Sequence, residues 1–281
     1  MLIFHKVTDI QNYLSNNFWD KKTIGFVPTM GALHQGHLSI IKQSKAENDI
    51  TIASIFVNPT QFNNKDDFDK YPNTIGTDIE KLVAEGTDIL LLPNVSEMYP
   101  DGTLYEINFD AGYLDTIMEG TFRPGHFKGV AQIVKRLLDI VQPTTLYLGQ
   151  KDYQQFMVVK KMITDLKIPV YLKMASTLRE EDGLAMSSRN MRLDEASRRN
   201  AVSVFAILKK AATDAKQYSV AEAKANALKS LQEIPQATPE YLEFANAENL
   251  ALIEKYDISV PTVICVAVWI GGIRLIDNII L

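Results

Sequence analysis

At 281 residues, with 46% hydrophobic and 22% charged side chains, the chain is long enough to bury one large core or two smaller ones. A formal charge of −5 argues against general binding of nucleic acid, while leaving room for a local basic pocket. The only cysteine, Cys265, excludes an intramolecular disulfide framework and a cysteine-rich zinc site; in "TVICVAVWI" it reads as a core thiol.

The N-terminal "MLIFHKVTDIQNYL" lacks the basic start and long apolar run of a secretory leader. A strand over 23–27 ("TIGFV") leads into a helix over 37–48 and a second strand over 50–57. A helix over 78–86, stopped by Gly86, precedes the strand "DILLLP". "FKGVAQIVKRLLDIVQ" sets Val130, Ile133, Val134, Leu137, Leu138 and Val141 on one helical face, and Pro143 ends it. The strand "TTLYLG" and the helix "KDYQQFMVVKKMITDLK" follow. This alternation predicts an α/β fold with a Rossmann-like, doubly wound parallel sheet.

The pattern then changes. Residues 194–234 read as two polar-faced helices broken near Tyr218-Ser219, followed by the β-rich runs "EYLEFAN", "TVICVAVWI" and "IRLIDNII". Gly271-Gly272 joins the last two as a hairpin turn. A smaller α+β domain over 178–281 is expected after a first domain over 1–177. The longest apolar stretch, Val263–Ile273, falls short of the roughly 20 residues that span a bilayer. A cytoplasmic protein with no membrane partner is therefore expected.

In open α/β sheets, ligands lie beyond the carboxyl ends of the strands. "PTMGALHQGHLSII" (28–41) occupies that place after the first predicted strand and holds two of the four histidines, His34 and His37. Gly31 and Gly36 admit close backbone approach, and the following helix start offers N–H groups and a positive dipole end to phosphate. Imidazoles there suit stabilisation of growing negative charge. Neither a Walker A pattern nor a GxGxxG fingerprint is present. Taken alone, the pair also fits polar helix-start residues, or two metal ligands lacking a third.

"PTMGALHQGH" resembles the HxGH signature of the nucleotidyltransferase superfamily, which includes class I aminoacyl-tRNA synthetases. With "FVNPTQF" (56–62), "RPGHFKGVAQIVKRLL" (123–138), "LGQKDYQQ" (148–155), "DGLAMSSRN" (182–190) and the terminal "RLIDNI", the chain is similar to the pantoate–β-alanine ligase family from Gly25 to Asn278. The resemblance implies an enzyme that joins (R)-pantoate to β-alanine with ATP through a pantoyl adenylate, releasing pyrophosphate and AMP in coenzyme A precursor synthesis. It places the nucleotide and pantoate on the first domain, with the second covering the ATP site.

By that similarity, ATP meets Met30, Gly31, Ala32, Leu33, His34, Gln35, Gly36 and His37. It also meets Gly149, Gln150, Lys151, Asp152 and Leu178, and the loop Met186, Ser187, Ser188 and Arg189. Catalysis would fall to His34, His37, Lys151 and Arg189. The family's acid role maps to His37, although charge stabilisation suits both imidazoles because pyrophosphate leaves readily. Lys151 would act on the α-phosphate, and Asp152 would meet the adenosine and cap its helix. "AMSSRN" stands where the superfamily has KMSKS, without its lysines, and offers two hydroxyls and a guanidinium to the β- and γ-phosphates.

Gln61 and Gln155 would bind pantoate, Gln61 also reaching β-alanine, with Asn58 on the same substrate and Met30 and Phe62 as apolar walls. His126 and Arg123 face either the site or only their own helix start. Lys65-Asp66-Asp67 and "REED" (179–182) read as solvated loop charges, and His5 and Trp269 as structural. Magnesium would accompany the polyphosphate without a named protein ligand. The resemblance also implies a homodimer formed through the larger domain; strand-edge pairing in the Ile50–Val57 region is a separate expectation. Rival readings are a nucleotidyltransferase acting on a phosphate ester and a catalytically silent nucleotide-binding protein.

Overall fold

A computed structural model of the protein describes residues 1–17, 22–63, 65–102 and 105–281. The chain forms two compact units: Met1–Gly149 with Val158–Ala175, and Gln150–Met157 with Ser176–Leu281. The second unit thus takes Gln150–Met157 from mid-chain, a segment that a linear division after 177 assigns to the first.

Among the described residues, the first unit carries a six-stranded parallel sheet. Its strands are β1 (Leu2–Phe4), β2 (Ile24–Thr29), β3 (Ile50–Ile55), β4 (Ile89–Leu91), β5 (Thr145–Gly149) and β6 (Tyr171–Ala175). They lie in the order β1-β4-β3-β2-β5-β6. The connecting helices are α1 (Val7–Asn17), α2 (Gln35–Glu47), α3 (Lys65–Asp69), α4 (Ile75–Ala84), α5 (Val95–Met98), α6 (Met118–Phe122), α7 (His126–Val141) and, from Val158 on, α8 (Tyr153–Asp165). The expected doubly wound sheet is present. From β2 the chain builds outward through β3 and β4, then returns to the other flank of β2 as β5.

Continuous apolar runs suit strands buried on both faces, and every residue of β3 is buried. Its place between β2 and β4 occupies both ladders, so the expected dimer edge at Ile50–Val57 is internal to the sheet. The sheet edges are β1 and β6, one of them too short for any sequence period to reveal. The six expected face residues of α7 are all buried, but so are Phe127, Ala131, Gln132 and Ile140. This helix is enclosed, with α1 and the 3-10 turn Pro59–Gln61 also packed against it.

In the second unit, β7 (Ala237–Asn246), β8 (Thr262–Ile270) and β9 (Ile273–Ile280) form an antiparallel sheet in sequence order. Gly271 and Gly272 both have positive φ, 56° and 75°, as the two-residue hairpin turn requires. Residues 194–234 contain three helices, not two: α9 (Glu195–Ala201), α10 (Ser203–Asp214) and α11 (Val220–Gln232). Val202, itself in helical geometry, separates the first two, so no turn residue marks the interruption. The Tyr218-Ser219 break is real, because Ser219 and Glu222 form a reciprocal capping box. Buried apolar residues of α10, α11 and the sheet form this unit's core. Among the described residues, no helix is long and apolar enough to cross a membrane.

Glu47, at the end of α2, ties that helix to β5 and β6. Its carboxylate accepts hydrogen bonds from Lys173 Nζ (2.8 Å) and Tyr147 OH (2.7 Å). Those bonds, Lys173 first, hold the Glu47 carboxyl below its usual range. Burial, with the bond to Glu47, pushes the Tyr147 phenol up to about 12. A carboxyl held low by folding stabilises above its unfolded pKa and loses that contribution as pH falls through the folded value. Glu47→Gln is therefore expected to lower the melting temperature at pH 7, with the gap to wild type closing below about pH 4. A constant gap down to pH 3 in thermal melts contradicts this.

Candidate active site

The parallel pairing of β2 with β5 brings their carboxyl ends side by side. From β2 the chain turns through Gly31 (φ 81°) and Ala32 (φ 49°), two successive left-handed residues. For alanine this conformation is strained by about 1–3 kcal/mol and needs outside support. Asp78 of α4, fully buried, supplies it. Its Oδ2 accepts from Ala32 N and its Oδ1 from Leu33 N, both at 2.8 Å, while Thr74 Oγ1 donates to Oδ2 at 3.1 Å. One turn on, Lys81 Nζ donates to Leu33 O at 2.5 Å. The paired N–H groups of this turn thus hold the protein's own carboxylate. Ala32 and Leu33 are buried, and Gly31 packs on Ile55 and Asp78.

α2 starts at Gln35, with His34 as its extended N-cap. The rings of His34 and His37 lie 4.0 Å apart at 34°, and both side chains are half-buried. The His34 amide donates to His37 Nδ1 at 3.4 Å, so a neutral His37 carries its proton on Nε2. Both sit at the positive end of α2.

The turn at Pro59–Gln61 follows β3. Asn58 is 1% exposed. Its Oδ1 accepts from Tyr99 OH (2.7 Å) and Thr60 Oγ1 (3.1 Å), and its Nδ2 donates to Gln61 Oε1 (3.1 Å) and Gly129 O (3.3 Å). These bonds engage the Asn58 carboxamide and orient Gln61. Burial pushes the Tyr99 phenol up, keeping it a donor. Gln61 Nε2 lies 3.1 Å from Met30 Sδ, joining this turn to the loop after β2.

His126 is buried at the start of α7, with Nδ1 2.8 Å from Gln61 O and Nε2 3.1 Å from Arg123 Nη1. A carbonyl only accepts, so Nδ1 carries the proton and Nε2 accepts from arginine. Gly129 allows this approach, because a Cβ there would lie 2.9 Å from Gln61 Cα and closer still to Thr60 O. Phe62 packs in a ring cluster with Phe68 and Tyr71.

In the second unit, Gln150–Asp152 forms a 3-10 turn directly after Gly149. Lys151 is half-buried, its Nζ 3.9 Å from the exposed Asp152, which precedes α8. Tyr153 donates to Ala247 O at 2.7 Å and fixes the start of α8, where Gln155 is half-buried. Burial pushes the Tyr153 phenol up to about 12. Leu178 is exposed and Met186 half-buried, while Ser187 caps the 3-10 turn Ser188–Arg192 by accepting from Arg189 N. The "REED" charges are not simply solvated: Arg179 is bonded to Asp277, and Arg198 holds the Asp182 carboxyl below its usual range from 2.7 Å. Among the described residues, no group of three or more His, Cys, Asp or Glu can hold a metal ion.

The family model for pantoate–β-alanine ligase matches residues 2–280. The chain belongs to the pantoate–β-alanine ligase family. It is 41% identical over 283 residues to a pantothenate synthetase of Cytophaga hutchinsonii, covering 100% of this chain and 99% of the relative. A relative of the same name from Aquifex aeolicus is 41% identical over 280 residues, covering 99% and 98%. The crystal structure of pantothenate synthetase from Thermus thermophilus superposes with a TM-score of 0.91, at 38% identity and 99% coverage of both chains. The pantoate–β-alanine ligase of Francisella tularensis, crystallised with β-γ ATP and β-alanine, superposes at 0.83 with 37% identity, covering 99% of this chain and 97% of that one.

Asp78, Gly129, Asn58 and Tyr99 hold the turns that carry the expected site residues. Asp78→Ala leaves two buried N–H groups without an acceptor and is expected to cost about 2–4 kcal/mol of stability. Urea unfolding reads this out, and an unchanged midpoint contradicts it.

Proposed function

We propose that the family reaction runs here in two steps on the residues described above. The enzyme condenses (R)-pantoate with β-alanine, using ATP and releasing AMP and pyrophosphate. In the first step a pantoate carboxylate oxygen bonds to the α-phosphorus and the bond to pyrophosphate breaks. In the second, the β-alanine amine bonds to the acyl carbon, AMP leaves, and the nitrogen gives up its proton.

His34 and His37 donate to phosphate oxygens at the α2 start. With its proton on Nε2, His37 stabilises the charge of the pentavalent phosphorus and transfers no proton. Lys151 places a point charge on the α-phosphate, and Ser187, Ser188 and Arg189 hold the outer phosphates. Gln61 and Gln155 bind pantoate through neutral amides, which bond its hydroxyls without trapping its carboxylate. The Gln61 amide is oriented by Asn58 and buttressed through its backbone by His126, and Met30 provides the adjoining apolar wall. Mg2+ would accompany the ATP phosphates as their counterion and neutralise their charge. The enzyme works in the cytoplasm as a homodimer.

The observation that carries this reading is the parallel pairing of β2, which leads into the HQGH loop, with β5, which ends at Gly149, in a chain of this family. Incubation with all three substrates should give pantothenate, AMP and pyrophosphate in equal amounts; ADP as the nucleotide product contradicts it. Two variants separate the roles. Lys151→Ala should slow single-turnover adenylation by about 10²–10³-fold while pantoate affinity stays within about twofold. Gln61→Ala should raise the pantoate KM about tenfold or more while ATP affinity holds. Interchanged phenotypes contradict the assignment.

A further inference from the structure

The "RLIDNI" segment of β9 takes no substrate role above, yet Asp277 and Asn278 are both buried in a strand whose only other polar residue is Arg274. Buried polar side chains persist where their bonds are made. Asn278 Nδ2 donates to two successive carbonyls, Gln150 O at 2.9 Å and Lys151 O at 3.0 Å. Its Oδ1 accepts from Gln150 Nε2 at 3.0 Å. A carboxamide has both donors and an acceptor for this; a carboxylate lacks the donors, and leucine has neither.

Asp277 serves another segment. Its Oδ2 and Oδ1 accept from Arg179 Nη1 (2.6 Å) and Nη2 (2.9 Å), a bidentate pair. The same guanidinium lies 3.4 Å from the Phe205 ring centroid and donates to Gly183 O and Asn278 O. Arg179 bridges to Ala185, and Met186 N bonds to Leu178 O, closing a hairpin from which Ser187–Arg189 emerge. Asn190 Nδ2 ties that exit back to Ala185 O at 3.0 Å. Adjacent strand residues face opposite ways, so two neighbours on β9 grip two different segments.

We propose that Asn278 and Asp277 are positioning residues for the adenylation step. Asn278 sets the main chain under Lys151, and Asp277, through Arg179, sets the hairpin that presents Leu178 and Met186–Arg189. Their spacing across a single peptide unit fixes the two ATP-contacting segments of the second unit relative to each other. This rests on reading 149–152 and 186–189 as ATP contacts.

The test compares Asn278→Ala and Asp277→Asn with Val266→Ala, a core variant of the opposing β8 position. Asn278→Ala should slow single-turnover adenylation about tenfold or more with the pantoate KM within about twofold. Val266→Ala, matched for loss of melting temperature, should leave the rate within about twofold. In a Lys151→Ala background, Asn278→Ala should cost less than about twofold further, because its effect runs through that lysine. Losses that multiply overturn the proposal. Hydrogen exchange gives a readout without activity: Asn278→Ala should speed exchange in 148–155 and Asp277→Asn in 184–190, and unchanged exchange in those segments overturns it. If Asn278→Ala fails to fold, the isosteric Asn278→Asp is read the same way. A wild-type enzyme without pantoate-dependent adenylation defeats the ATP assignment, and the exchange pair still judges the positioning.

Discussion

The pairing of β2 with β5 is the constraint on which the rest depends. The chain builds the sheet outward from β2 through β3 and β4, then crosses back to lay β5 on the other flank. In open α/β sheets ligands bind beyond the carboxyl ends of the strands that flank such a crossover. What emerges there is not generic loop. After β2 comes a turn in left-handed geometry, clamped by the buried Asp78, which fixes where α2 begins and so where His34 and His37 lie. After β5 comes the 3-10 turn with Lys151.

Support for reactive groups recurs as main-chain capture. Asp78 holds amides of the HQGH loop, His126 and Arg123 hold the Gln61 carbonyl, and Asn278 holds the carbonyls of Gln150 and Lys151. Fixing the backbone removes the freedom that would misplace the side chains it carries by a fraction of an ångström. The Gly129 notch belongs to the same design, because contact between α7 and the Pro59–Gln61 turn demands a residue without a Cβ.

Much of this was legible in the sequence where a pattern is local. Strand and helix alternation gave the sheet, the glycine pair gave the hairpin, and the ordered motifs gave the family. What escaped was set by tertiary contacts. Asp78 sat unnoticed inside an amphipathic helix because its partners are 45 and 46 residues away. The buried bonds of Asn58 escaped because nothing in "FVNPTQF" announces Tyr99 and Gly129 as its partners. Arg179 passed for a solvated charge because Asp277 lies 98 residues on. The interruption at Val202 had no turn residue to mark it, and β1 was too short to show a period.

The central claim is that this site makes an acid reactive by joining it to AMP before the amine takes part. Exchange of labelled pyrophosphate into ATP, measured without β-alanine, tests it most directly. Exchange that appears only when pantoate is added is the expected result. Exchange without any carboxylic acid, or none with pantoate present, would contradict the account.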